Sequence, residues 1–494
     1  MATPDIDPTP VEPSGGRSPS PEGGRGLLTR PWVRVLGLYL AALCVCTPIV
    51  ALQVHAHPGL FVLDEIMYVD YLYRVDAGTI ALPHGQKLGP QTIEQRECRG
   101  VEIIGSGHDN VPHACDGRPV SASLLPNGGY DSADIYPPTY FLVTDGAARV
   151  LLATGVTNDL VTAGRLTGAL WMAAALVIVY LLVLELGARR RVAALAMALT
   201  GSASWLLVFW YHLTPDAASV VLGGLVFLAT LRWERRAVHW AWLIAIAGLL
   251  VLVKPANVLA TAMACLFLLI RGVRAWRALD AGPVDSGGPV EPVGRAEPPG
   301  PLLLASQVEP PSTDALRRSL LGIAALVGGT LGCLGAWFVV KAAIYPPGST
   351  TPYDNRFRAH GFSVHWIVDN VATFLTIPNM GQHNVGNPET FTLVLLFGSV
   401  AALAMLLPGQ SRLHSVAVSA LTLSVSGAVI IVFLLLVTQD VYVRAEPRYG
   451  LSLIAPTVAA AATLWRYRST QIVVAVLTAV LLANSLGLTG RGTG

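Results

Sequence analysis

Val33-Arg-Val-Leu-Gly-Leu-Tyr-Leu-Ala-Ala-Leu-Cys-Val-Cys-Thr-Pro-Ile-Val-Ala-Leu-Gln53 is an apolar run of about 20 residues, enough to cross a bilayer as a helix. It exceeds the apolar part of a typical signal peptide. Val54-His-Ala56 has some likeness to a cleavage site, but an uncleaved anchor is expected. The chain then reads Phe61-Val-Leu-Asp64-Glu65-Ile-Met-Tyr-Val-Asp70. An acidic pair placed just after a membrane span is the first place to look for chemistry, because a lipid-soluble chain carries few ionisable groups.

Composition supports this reading along the whole chain. Of 494 residues, 53% are hydrophobic and 13% charged, against about 25% charged in a soluble domain. The fold class expected is an all-α polytopic membrane protein. Further apolar runs lie near 160–185, 192–211, 216–231, 238–253, 256–271, 318–343, 390–408, 414–437, 449–465 and 470–488, so about eleven transmembrane helices are expected, with a large first extracytoplasmic loop. The net charge of +2 is spread over span ends and gives no sign of nucleic-acid binding.

Residues 1–30, rich in Pro, Gly and Ser, read as a disordered cytoplasmic tail. Residues 31–271 read as an N-terminal membrane module that includes the loop 54–159. A disordered cytoplasmic linker is expected over 272–316, rich in Pro, Gly and acid from 278 onward. Residues 317–494 form a C-terminal membrane module with the loop 344–389. Arginines gather on alternate connections: Arg189 to Arg191, then Arg232, Arg235 and Arg236, then Arg271, Arg274, Arg277, Arg317 and Arg318, then Arg412, then Arg466 and Arg468. The positive-inside rule therefore puts the N-terminus in the cytoplasm and the large loops outside the plasma membrane. No internal repeat is evident, which counts against inverted-repeat transporters.

Five groups of residues on the expected outer face could carry chemistry. Asp64 and Glu65 can serve as a general base tuned by partial burial, or simply cap a short interfacial helix. Tyr136-Pro-Pro-Thr-Tyr140 stiffens the end of the first loop; its tyrosines are candidate substrate contacts or interfacial anchors. Asp216, in Tyr211-His-Leu-Thr-Pro-Asp216, has no cation near it in sequence and either joins a site or caps the next helix. Lys254 is one of three lysines among 33 basic residues, and reads as a phosphate contact or a snorkelling side chain. Arg448, in Val443-Arg-Ala-Glu-Pro-Arg-Tyr-Gly450, falls on the side the positive-inside rule disfavours and can pair with a phosphodiester or with Glu446. Tyr449 beside it is a further candidate contact. Cys98 and Cys115 share the first loop, where a disulfide is expected. The loop 344–389 adds Tyr353, Asp354, Arg356, Arg358, His360, His365 and His383, whose spacing matches no metal site, so no metal ligand is assigned.

In this arrangement the chain resembles the C-type (GT-C) superfamily of integral-membrane glycosyltransferases, in its protein mannosyltransferase and aminoarabinose-transferase branch. The resemblance is carried by Leu63-Asp64-Glu65 directly after the first span, by Glu446-Pro-Arg448-Tyr449 followed by Pro456, and by the overall topology. It implies that Asp64 is the catalytic base, Glu65 supports it, Arg448 contacts the donor phosphate, and Lys254 assists. It also implies a polyprenyl-phosphate sugar as donor, met from the bilayer, and an acceptor glycan, lipid or protein outside the cytoplasm. No firm cofactor follows, and a divalent cation at the acidic motif stays open. The Cys98–Cys115 insertion and the long linker depart from the general family pattern and leave the acceptor undefined. A transporter or lipid flippase would instead show ionisable residues in mid-span. A non-catalytic envelope-assembly protein would tolerate loss of Asp64 and Arg448. The enzyme reading requires Asp64, Lys254 and Arg448 to converge on one lipid-accessible hollow.

Overall fold

The computed structural model describes residues 31–62, 64–102, 115, 125–280, 313–345, 358–359, 361–379, 388–409, 411–439 and 441–486. The tail expected over 1–30 lies outside them, as does 281–312 of the linker. The described residues are nearly all helical; the strands among them, Leu60–Phe61 and Val101–Glu102, pair in parallel over two residues.

Seven helices are long and apolar enough to cross a membrane, or eight if one bent pair counts as a span. This is fewer than the eleven expected, because several runs form shorter or broken helices. Arg190–Ser202 and Ser204–Tyr211 meet at 65°. The break is at Ala203, whose backbone is extended (φ −70°, ψ 110°). The Ser202 hydroxyl bonds back to the Ala198 carbonyl at 2.9 Å, and the Ser202 carbonyl accepts from the Ser485 hydroxyl at 3.1 Å. The freed backbone acceptor is thus satisfied from a neighbouring helix. Trp240–Val253 spans only 14 residues. It ends because Lys254 precedes Pro255 and is forced into extended backbone (φ −154°, ψ 118°). The run near 390–408 forms Pro388–Leu406, and that near 449–465 opens as a 3₁₀ segment, Pro447–Leu453, before the short helix Ile454–Ala462.

The helix Asp216–Glu234 is at the centre, buried along most of its length, while Pro31–Ala56 and Arg468–Ser485 present most of their side chains outward. Small residues set the close approaches. A Cβ on Gly223 would lie 1.9 Å from the Ser452 carbonyl oxygen, so only glycine lets Asp216–Glu234 touch the Pro447–Leu453 segment. That contact brings Asp216 and Arg448 together.

At the far end of these helices, Glu234 accepts from Arg271 Nε at 2.6 Å and from Arg412 Nε at 2.7 Å. Glu185 accepts from Arg235 at 2.9 Å. The helix Thr313–Ile344 packs on Trp240–Val253 and Val258–Asp280, so the expected N- and C-terminal modules are in contact. Helix also covers 272–280 and 313–316, narrowing the expected linker. The first loop is itself folded, with helices Glu65–Asp76, Pro90–Arg99 and Thr139–Ala153. It docks on Thr313–Ile344 through Trp337 Nε1, which donates to the Ile135 carbonyl at 3.4 Å, and through Tyr345, whose hydroxyl donates to Asp134 at 2.8 Å.

Candidate active site

The acidic pair opens the helix Glu65–Asp76, with Asp64 as its N-cap residue. Asp64 adopts left-handed backbone (φ 66°, ψ 3°) and makes no side-chain cap bond. The capping alternative is therefore not what its carboxylate does. Left-handed backbone costs a non-glycine residue energy, and such strain clusters at functional sites. It turns two adjacent carboxylates to different places.

Glu65 goes inward. It is fully buried. Its Oε1 accepts from Arg165 Nε at 2.8 Å and from the Leu213 amide at 2.7 Å. Its Oε2 accepts from Arg165 Nη2 at 2.7 Å and from the Phe61 amide at 2.6 Å. Arg165 spends its remaining donors on the carbonyls of His57 at 2.9 Å and Gly59 at 2.6 Å. Burial alone would raise the Glu65 pKa; the Arg165 guanidinium, with His212 and the Phe61 amide, outweighs it and holds it low. Placed among the catalytic candidates from sequence, Glu65 has no spare acceptor. It locks the first loop to the connection before Asp216.

Asp64 goes outward. Arg448 Nη2 donates to Asp64 Oδ2 at 2.5 Å, with the carboxylate side chain 42% exposed and the arginine 4%. Arg448 Nη1 lies 3.7 Å from Asp216 Oδ2. Lys254 Nζ donates to Asp216 Oδ1, and the Thr214 hydroxyl donates to Oδ2 at 3.1 Å. Asp216 and Lys254 are both buried. The Tyr449 ring covers the two cations, its centroid 4.9 Å from Lys254 Nζ and 5.7 Å from the Arg448 guanidinium. The result is a row, Asp64–Arg448–Asp216–Lys254, that alternates in sign and sums to zero. Charges this deep persist only when paired.

Lys254 does not snorkel, and Arg448 pairs with Asp64 and Asp216 rather than with Glu446. Asp216 reaches Lys254 and Arg448 in space, not in sequence. Neither Asp216 nor Lys254 opens directly to the surface; they act on Arg448 from behind. Tyr136 is buried beside the row, its hydroxyl 3.4 Å from that of Tyr68. Burial raises both phenols well above their usual range and keeps them neutral donors. Tyr140, also buried, accepts from the Thr214 amide at 3.2 Å and supports the turn before Asp216.

Cys98 and Cys115 form a disulfide with their Cα atoms 4.7 Å apart. Among the described residues no three His, Cys, Asp or Glu side chains gather as a metal-binding group. His365 is exposed and 3.4 Å from Asp369. Tyr353, Asp354, Arg356, His360 and His383 lie outside the described residues.

Sequence reasoning overlooked Arg165, Tyr68 and His212. Arg165 had a readable signal: an arginine at the start of an apolar run on the side where arginines are scarce. Comparison of the chain with protein-family models, with curated proteins and with solved structures gives no match.

Proposed function

We propose that this chain is a membrane glycosyltransferase that moves a sugar from a polyprenyl-phosphate carrier to an acceptor hydroxyl outside the cytoplasm. The observation that carries the reading is the meeting of Asp64 and Arg448, 384 residues apart, in one ion pair whose carboxylate is exposed and whose guanidinium is backed by Asp216 and Lys254. In this reading the site face is extracytoplasmic, the N-terminus is cytoplasmic, and the eleven apolar segments all traverse the plasma membrane, with Trp240–Val253, Pro388–Leu406 and the Pro447–Ala462 segment as short crossings.

The chemistry follows from the charge order. A donor phosphodiester carries one negative charge and competes with Asp64 for Arg448, whose planar fork suits phosphate oxygens. As the phosphate takes the guanidinium, the Asp64 carboxylate is released from its ion pair and faces the acceptor with both oxygens free. Asp64 accepts the proton of the acceptor hydroxyl. The acceptor oxygen bonds to the anomeric carbon as the bond from that carbon to the phosphate oxygen breaks, with inversion. The polyprenyl phosphate leaves with the bonding pair and one more negative charge. Arg448 meets that charge, and Lys254 and Asp216 hold the guanidinium in place. Neutral Tyr68 and Tyr136 supply hydroxyl donors beside the row. The buried charges gather at helix ends rather than in mid-span, which favours this reading over a transporter.

The test is transfer by purified protein from a panel of polyprenyl-phosphate sugars to membrane-extract acceptors, wild type against Asp64→Asn. Loss of transfer in a variant that elutes and melts like wild type supports the assignment. Undiminished transfer removes Asp64 from the mechanism.

A further inference from the structure

A cavity of about 350 Å³ lies next to the charged row, between the segment Asp369–Thr376 and the segment Arg444–Pro447. Its wall ends at Pro447, the residue before Arg448. Its polar lining is Asp369, Thr373, Thr376, Arg444 and Glu446. Nothing in the proposed reaction uses these side chains.

The two walls are fixed relative to each other. Asn370, fully buried, accepts from the Ala445 amide at 2.9 Å and so fixes one wall to the other. The Ala372 amide donates to the Val425 carbonyl at 2.9 Å, and Ala372 adopts left-handed backbone (φ 61°). Trp366 stacks on Tyr442, with centroids 4.2 Å apart and rings within 10° of parallel. These contacts set the spacing of the two walls.

The lining selects the ligand. The lining holds two carboxylates and one guanidinium, a formal charge of −1 that disfavours a phosphate there. The Thr373 hydroxyl donates to the Asn370 carbonyl at 3.0 Å, and the Thr376 hydroxyl to the Thr373 carbonyl at 2.6 Å. With their hydrogens so committed, the two hydroxyl oxygens of the lining keep only acceptor capacity, as do its carboxylates, while Arg444 is a donor. An uncharged ligand that carries many hydroxyls satisfies both kinds of group. The volume falls at the lower end of the range for ligand pockets, about 300–1,000 Å³, and suits one ring rather than a chain.

The geometry points to a carbohydrate subsite: this cavity binds a single sugar ring and presents it to the Asp64–Arg448 pair. The inference rests on the transferase reading for the ring's fate, but not for its binding. The ring belongs either to the donor or to a glycan acceptor.

Two measurements test it. The first is saturation-transfer NMR on the purified full chain with methyl hexopyranosides and methyl pentofuranosides. Wild type is expected to bind at least one glycoside, Glu446→Gln to bind it on the order of tenfold more weakly, and Thr376→Trp, which fills the cavity, not at all. The second is the KM for each substrate. A rise confined to the donor assigns the ring to the donor, and a rise confined to the acceptor assigns it there; either supports the subsite. Absence of glycoside binding by wild type, or binding and both KM values unchanged in Glu446→Gln and Thr376→Trp, overturns it. If wild type transfers no sugar from any lipid donor, the transferase reading fails, and the binding measurement alone decides the subsite.

Discussion

Asp64 and Glu65 are neighbours in sequence and opposites in environment. Each carboxylate faces an arginine. Glu65 meets Arg165 in a pair fully closed to solvent, with four hydrogen bonds to the carboxylate. Asp64 meets Arg448 through a single nitrogen, with 42% of its side chain exposed. On the proposed transferase reading, the difference separates holding from reacting. A saturated buried pair is costly to disturb from either side. An ion pair open on one face can be exchanged by an incoming anion for little cost, because water and the ligand replace what is lost. The left-handed turn at Asp64 is what gives two adjacent acids these two fates.

The comparison breaks most sharply at Asp64 itself. Asp64→Asn is expected to lower the transfer rate by about 10²–10⁴-fold, the usual worth of a general base, with the melting temperature near that of wild type. Initial rates and a thermal melt on the same preparation check both halves. The mirror variants, Glu65→Gln and Arg165→Met, each leave one buried partner with an uncompensated charge or lost donors. Each is expected to destabilise the fold by about 3–5 kcal/mol, read as poor yield and early melting in detergent. The double variant Glu65→Met/Arg165→Met is expected to recover part of that loss. If Glu65→Gln instead folds well and loses only transfer, the division between the two carboxylates is wrong.

The sequence made one half of this comparison legible. Asp64, Asp216, Lys254 and Arg448 each stood out because an ionisable residue at the edge of an apolar run needs a reason to be there. Their pairing did not stand out. The partners are separated by up to 384 residues, and Arg448 had a nearer carboxylate at Glu446. The alternation of Asp64, Arg448, Asp216 and Lys254 depends on Gly223 allowing two backbones to touch, which no local pattern reveals. Arg165 carried a signal in its position, but its role did not show: it falls inside a stretch that reads as a span, and its partner is a glutamate 100 residues away. Helix existence was readable from apolar runs, but helix length was not. The break at Ala203 and the early stop at Lys254 come from local backbone choices that hydropathy averages away.

A smaller effect sharpens the reacting half. Arg448→Lys keeps the positive charge but loses the fork that reaches Asp64 and Asp216 together. The donor KM is expected to rise on the order of tenfold, the worth of one charge-assisted hydrogen bond, with the acceptor KM unchanged. A kcat loss at constant donor KM would show that Arg448 serves only the departing phosphate.

The smallest effect belongs to the holding half. His212 is buried in the connection before Asp216, stacked on Phe61 with centroids 4.7 Å apart. Burial pushes its pKa down to about 4, with the nearby Glu65 opposing the shift. In the unfolded chain the imidazole titrates near ~6.5. Between those values the unfolded state binds more protons than the native one, so stability falls as pH drops through that window. From pH 7 to pH 6 the loss from this group is on the order of 1 kcal/mol or less, by linkage from those two values. His212→Phe keeps the stacking and removes the titration, so its melting temperature is expected to vary less with pH than that of wild type. Parallel slopes for the two proteins would place the acid sensitivity elsewhere, with Glu65 next in line. Its depressed pKa contributes stability above the ordinary carboxylate range and loses it only at lower pH. The order in which the two losses appear on acidification therefore tells which member of the buried cluster gives way first.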